Sequence, residues 1–260
     1  MVAITDLIEK HPKPVVSVFL VALLLLGLGI FRDYGLSWDE SIQRQYGKMV
    51  YSYITEGDEE VLGDRHRHYG PVFQVLLYSM EKVFGLEDSR SIYLMRHLAT
   101  FLVFWVGLLF FCLMCKYLFA SWSIGLLGCA FLGLSPRIFA HGFYNPKDIP
   151  FTAVFIIGMY TLIRYLDRKT VRAAAVHAVV CAIAIDIRIV GVMLPAITIL
   201  ASGLVAVKYR SIHRETRRIR LSIGVYVPVL IGAVLLLWPT LWRDPIGGFL
   251  GAFNEMRRFP

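Results

Sequence analysis

Apolar side chains run along the chain in long blocks, at 15–31, 92–115, 119–136, 149–163, 173–187, 189–207 and 221–240, separated by short charged stretches. A helix needs about 20 apolar residues to cross the hydrocarbon of a bilayer, so the blocks predict seven transmembrane helices. The stretch 173–207 is about 35 residues long, enough for two helices and a tight turn marked by Arg188 and Gly191. Asp186 and Arg188 are its only Asp, Glu, Lys or Arg residues. Residues 71–85 differ from the other blocks. They are apolar on one side only, are short, and carry Glu81 and Lys82.

Charge decides how 71–85 is read. If it does not cross, residues 1–14, 116–118, 164–172 and 208–220 share one side, and 164–172 and 208–220 hold Arg164, Arg168, Lys169, Arg172, Lys208, Arg210, Arg214, Arg217, Arg218 and Arg220. The other side receives 32–91, 137–148, the Asp186–Arg188 turn and 241–260, and its first loop is acidic. Basic loops stay cytoplasmic, so 71–85 is expected to lie at the interface as an amphipathic helix. The fold class that follows is all-α integral membrane, with about seven transmembrane helices and a long outer first loop, 32–91, carrying interfacial helices. The whole of 1–260 reads as a single polytopic membrane domain, with 1–14 cytoplasmic and 241–260 an outer segment.

Composition agrees. With 57% of residues hydrophobic, a soluble domain of 260 residues could not cover its surface with polar groups. The net charge of +8 gathers in a few loops, as membrane anchoring requires, and no nucleic-acid-binding pattern is present. Cys112 and Cys115 form a CxxC inside an apolar run with no histidine nearby, which reads as packing rather than metal or redox chemistry. The apolar run after Pro14 lacks a small-x-small cleavage site, so a retained first helix is expected rather than a signal peptide. Trp38, Trp238 and Trp242 fall near the outer boundary, where tryptophan is enriched.

The polar residues of the outer side offer four clusters. Trp38-Asp39-Glu40 sets two carboxylates beside the first helix; taken alone they read first as a solvated loop with a cap for the next helix, and second as a general base. Ser135 to Asp148 packs Arg137, His141, Asn145, Lys147 and Asp148 into one short loop. Its cations suit a phosphate, while Asp148 suits either a divalent metal or the N-cap of the next helix. Asp186 and Arg188 are costly within an apolar run, and two residues apart they do not share a helix face. Arg188 therefore meets either an anionic headgroup or the interface itself. Arg65 to His68 offers a further cationic contact, and its His-x-His spacing is weak metal grammar.

In order and spacing these residues resemble the GT-C glycosyltransferases, and within them the protein O-mannosyltransferase and aminoarabinose-transferase group, glycosyltransferase family 39. The resemblance rests on Ser37-Trp38-Asp39-Glu40, Tyr69-Gly70-Pro71, Arg96, Asn145-Pro146-Lys147-Asp148 and Arg188-Ile189-Val190-Gly191. It implies transfer of a sugar from a polyprenyl-phosphate carrier to an acceptor (lipid, glycan or protein) on the non-cytoplasmic face, with inversion. It implies Asp39 as the base that deprotonates the acceptor, with Glu40 beside it as the second catalytic residue. It implies Arg188, Lys147, Arg137, His141 and His68 around the donor phosphate, with Asp148 as a second acid or the ligand of a divalent cation, Mg2+ or Mn2+. Two departures stand out. His68-Tyr69-Gly70-Pro71 replaces the Lys-Pro-Pro or His-Pro-Pro of many relatives. Those relatives also continue through further helices, so the chain is expected to lack a C-terminal part. The expected partners are the lipid-linked sugar, the acceptor and membrane lipids. The expected location is the cell inner membrane, or the endoplasmic reticulum in a eukaryote. Two other classes compete: a lipid-linked-sugar transporter or flippase, disfavoured by the absence of repeated halves, and a non-catalytic, truncated membrane subunit.

Overall fold

The structure, a computed structural model, describes residues 9–209 and 211–257. Most of the expected cytoplasmic start, Arg210 of the basic loops and the last three residues lie outside the described residues. Every regular element among the described residues is helical. The main helices are α1 (Pro12–Ile30), α2 (Glu40–Glu56), α3 (Val72–Val83), α4 (Ser89–Phe119), α5 (Trp122–Gly133), α6 (Pro136–Tyr144), α7 (Asp148–Arg168), α8 (Val171–Ile187), α9 (Met193–Lys208), α10 (His213–Leu237) and α11 (Pro245–Arg257). Single turns at Glu60–Gly63, Arg65–His68, Ile189–Val192 and Pro239–Leu241 join them.

The chain is a multi-pass membrane protein. Among the described residues five helices are long and apolar enough to cross a bilayer: Pro12–Asp33, Ser89–Phe119, Asp148–Arg168, Ile189–Lys208 and His213–Leu237. A sixth crossing arises if α5 and α6, bent by 66° across Leu134 and Ser135, act as one broken span. The remaining expected span, 173–187, is the 17-residue α8, which at 1.5 Å per residue rises only about 25 Å. Residues 71–85 form the 12-residue α3, about 18 Å long and too short to cross.

Two compact units divide the chain, Met1–Gln43 with Met80–Tyr160, and Arg44–Ser79 with Thr161–Pro260. In the first unit α1, α4, α5 and α6 enclose a core of Leu20, Leu23, Phe101, Phe104, Leu108 and Phe143. Phe143 is sandwiched there, its ring 4.8 Å from that of Phe101 and 4.3 Å from that of Tyr34. Side chains cap the helix starts. Asp88 accepts from Ser91 N at 2.9 Å to open α4, and Ser121 does the same for Ile124 N at 3.3 Å to open α5. Capping of this kind satisfies backbone donors that the helix itself cannot.

In the second unit α8 lies along α10 and pairs with α9 in a hairpin. The helix stops where the sequence placed its turn: Arg188 is extended, with φ −147° and ψ 129°, and Gly191 N returns to Arg188 O at 2.7 Å. Gly191 is required there, since a Cβ would fall 2.4 Å from the Ala184 carbonyl carbon. A polar network joins α7, α8, α9 and α10 in the interior. Fully buried His177 packs against the rings of Tyr165 and Tyr226, which also contact each other, with Thr161 Oγ1 2.8 Å from its Nδ1 and Thr198 Oγ1 2.7 Å from its Nε2. Because Thr198 gives its own hydrogen to Leu194 O, Nε2 is the nitrogen that carries the imidazole proton. Trp238 is buried with Ile185, Leu241 and Ala252, so packing holds this indole.

Candidate functional site

The first unit brings three of the sequence-derived residues to one place. Asp39, His141 and Lys147 line an open groove of about 360 Å³ together with Ser37, Trp38, Tyr144, Asn145 and Pro146. The loop after α1 is tied to the end of α6, where Ser37 Oγ donates to Tyr144 O at 2.8 Å. Asn145 organises the far wall. Its Oδ1 accepts from Asp148 N at 2.9 Å, and its Nδ2 lies 3.1 Å from both His141 Nδ1 and Asp148 Oδ2. Asn145 therefore supplies the capping oxygen at the start of α7, the role the sequence offered to Asp148. With Nδ1 of His141 accepting, its Nε2 carries the hydrogen and is a donor. Asp148 is exposed beside the groove but is not one of its lining residues, and Arg137 is exposed on the first turn of α6.

Asp39 and Glu40 have opposite fates. Asp39 is exposed, whereas Glu40 is 1% exposed. Glu40 Oε2 accepts from Ser37 N at 2.7 Å, the return half of a capping box written in Ser37-Trp38-Asp39-Glu40. Its other oxygen lies 2.9 Å from His97 Nε2, an ion-pair contact off the line of a hydrogen bond. Next to it, Arg96 donates to Glu81 Oε1 at 3.0 Å, with both side chains buried. Removing one member of such a pair strands the other charge, so it fixes geometry more than it adds stability. The sequence reading noticed Arg96 but neither His97 nor the partnership with Glu81. The signal was available, as an Arg-His pair inside a 31-residue helix must find acids.

Asp186 and Arg188 fall in the second unit. Asp186 is fully buried and accepts from Val72 N at 2.7 Å, and its Oδ2 has no hydrogen-bond partner among the described residues. Its partner is thus the free N-terminus of α3, where backbone donors favour an anion. Gly70 allows this approach, because a Cβ there would stand 1.7 Å from Asp186 O. Tyr46 secures the same turn by donating to Tyr69 O. Burial, with the charges of Asp186 and Asp64, raises the Tyr46 hydroxyl's pKa well above its ordinary value. Arg188 is half-buried at the end of α8.

His68 lines a different cavity, of about 460 Å³, with Arg67, Thr240, Arg243, Asp244 and Gly248. Burial, then the neighbouring Arg67 charge, lowers its pKa below the ordinary imidazole value. Within the expected outer segment 241–260, helix α11 closes over this turn, with a Gly251 Cβ position only 2.9 Å from His68 Cε1. His66 turns away to Asp64, 2.7 Å from Nδ1 to Oδ1. Among the described residues no three His, Cys, Asp or Glu side chains converge as a metal site requires. Asp148 is bonded to Asn145 instead, so this donor set does not fit Mg2+ or Mn2+.

The fold and these sites define a helical multi-pass membrane protein with an open groove, lined by Asp39, His141 and Lys147 among others, beside its first span. Compared with protein-family models, curated proteins and solved structures, the chain matches none.

Proposed function

We propose that the protein is a membrane glycosyltransferase that moves a sugar from a polyprenyl-phosphate donor to an acceptor on the non-cytoplasmic side of a cell inner membrane. The reading includes seven crossings in a GT-C-like arrangement, with α8 and the bent α5–α6 pair each counted as one. The observation that carries it is the groove, in which an exposed carboxylate, Asp39, shares the lining with Lys147 and His141. A base and cationic donors in one open site suit a reaction in which a proton leaves one reactant and negative charge grows on the other.

In this scheme Asp39 takes the proton from the acceptor hydroxyl or amine. The freed lone pair attacks the anomeric carbon from the face opposite the phosphate. The bond from that carbon to the phosphate oxygen breaks, and its electrons leave with the lipid phosphate. Lys147 and the Nε2–H of His141 stabilise that charge, and Arg137, on the first turn of α6, serves as a further cation for the lipid headgroup. Glu40 acts as a positioning residue: bonded to Ser37 N and set against His97, it holds the loop that presents Asp39. No step is routed through a metal.

The test pairs binding with turnover in detergent-solubilised, full-length protein. Native mass spectrometry with added polyprenyl monophosphate is expected to give a bound lipid that Lys147→Ala weakens. Asp39→Asn is expected to keep that lipid while transfer falls at least a hundredfold. Transfer that survives Asp39→Asn would remove the base. A chain that binds no polyprenyl phosphate would remove the donor class.

A further inference from the structure

The second unit carries a surface that the proposed reaction does not use. The turn between α7 and α8 and the segment from the end of α9 into α10 come together, with Lys169 Nζ 3.0 Å from Glu215 Oε2 and 4.7 Å from the centre of the Tyr209 ring. Thr216 Oγ1 ties the same segment to Tyr209 O at 3.1 Å. On this fixed platform Arg168, Arg172 and Lys208 are exposed, and so are Arg214, Arg217, Arg218 and Arg220 on the first two turns of α10. Two carboxylates stand among them, Asp167 and Glu215. Both are engaged locally, Asp167 3.9 Å from Arg164 and Glu215 with Lys169 and Arg218.

The placement of these cations points to their partner. Arg214, Arg217 and Arg218 are spaced i, i+3, i+4 and share one helix face, where like charges repel and weaken the helix unless anions lie against them. They begin a helix whose next turns are apolar enough to cross a bilayer, so they stand at headgroup level. Lys208 likewise ends a candidate span, and Arg168 ends another. Cations clustered where spans leave the hydrocarbon meet a charged leaflet rather than a soluble ligand.

We propose that this face, 164–172 with 208–220, is a binding surface for the phosphate headgroups of anionic phospholipids in the leaflet it meets. Several headgroups bind at once. Guanidinium groups supply paired N–H donors to phosphate oxygens, while Lys208 and Lys169 act as point charges. Each cation contributes about fivefold to the preference for an anionic over a zwitterionic headgroup.

Full-length protein in a neutral detergent is titrated with phosphatidylglycerol, and separately with phosphatidylcholine of the same acyl chains, and bound lipids are counted by native mass spectrometry. Phosphatidylglycerol is expected to be retained at lipid concentrations at least tenfold lower. The triple change Arg214→Gln, Arg217→Gln, Arg218→Gln is expected to remove most of that difference, and the corresponding Arg→Lys triple to keep much of it. The Lys triple separates a loss of charge from a loss of fold. Equal retention of the two lipids, or a preference that survives the Gln triple, overturns the proposal. In that case an acidic soluble protein becomes the partner of this face. The probe has no polyprenyl chain and the variants leave Asp39 and Lys147 intact, so the outcome is independent of the proposed transfer reaction.

Discussion

Gly70→Ala is a one-atom change whose consequence follows from the geometry around Asp186. The new Cβ would stand 1.7 Å from Asp186 O, whereas ordinary contact begins near 3.4 Å. The obstructing atoms are backbone at the end of α8, so no side chain can swing aside. Residue 70 must instead retreat by about 1.7 Å, carrying Val72 with it. The Val72 N to Asp186 Oδ1 bond, 2.7 Å long, then stretches beyond hydrogen-bond range. A buried hydrogen bond contributes about 0.5–1.5 kcal/mol, and leaving its acceptor unsatisfied costs about 1–3 kcal/mol. Its loss would leave Asp186, already with one oxygen unpartnered, buried with neither satisfied. The expected cost is about 3 kcal/mol, or a melting temperature lower by about 6–12 °C in detergent on the usual scale for chains of this size. Asp186→Ala should cost a similar amount and the double variant little more, since both remove the same contact. Asp186→Asn keeps an accepting oxygen and should cost less than either. Melting of Gly70→Ala within about 2 °C of the wild type, or full additivity with Asp186→Ala, would refute the account.

Other outcomes follow from the buried polar groups. Arg96→Met should destabilise the protein by about 3–5 kcal/mol by stranding Glu81, and adding Glu81→Leu should recover most of the loss, as read by unfolding in mixed micelles. His177→Ala removes two hydrogen bonds and the ring packed against Tyr165 and Tyr226, and should cost about 3–5 kcal/mol by the same measurement. A much smaller loss would mean that the four helices close without it. Because the His68 pKa is lowered, the unfolded chain binds its proton first as pH falls. Stability should therefore be full above about pH 6.5, decline as pH falls towards the lowered pKa, and flatten below it. Melting curves of wild type and His68→Gln across that range should diverge in that direction.

The helices were legible because membrane crossing writes itself in composition: each apolar block of the sequence has a helical counterpart. The break at Arg188 and Gly191 was legible too, since a charge and a glycine interrupt an otherwise uniform run. Helix α2 was obscured by the acids around it, although Tyr46, Met49, Val50 and Tyr53 recur at i, i+3, i+4 and i+7, a helical stripe. Three of these four form a buried cluster with Val61, and Tyr53 packs against it. Helix α11 gave no such warning, since its glycines and scattered charges suit a loop by propensity. Its apolar residues pack on Trp238, a tertiary contact that local pattern does not contain. The same limit applies to the site. Spacing put Asp39, His141 and Lys147 on one side of the membrane, but the first loop meets the second through tertiary contacts, the Ser37–Tyr144 bond and the stacking of Tyr34 on Phe143, that spacing does not contain.

The sequence presented Asp39 and Glu40 as an equivalent pair, and the fold separates them by the rule that governs all charges in such a protein. A carboxylate withdrawn from water must be met by donors. Glu40 is met by Ser37 N and His97, Glu81 by Arg96, and Asp186 by Val72 N. In each case the acid fastens one short helix to a long one or to the turn before it. Asp39 has no such duty and stays at the groove. An acid free of structural work can be changed to Asn without loss of fold, whereas Glu40→Gln should loosen the loop that carries Asp39. The proposed chemistry therefore separates at two adjacent positions. Asp39→Asn should affect turnover alone, while Glu40→Gln should lower turnover and melting temperature together. Equal effects of the two on stability would mean that the division of labour drawn from their burial is wrong.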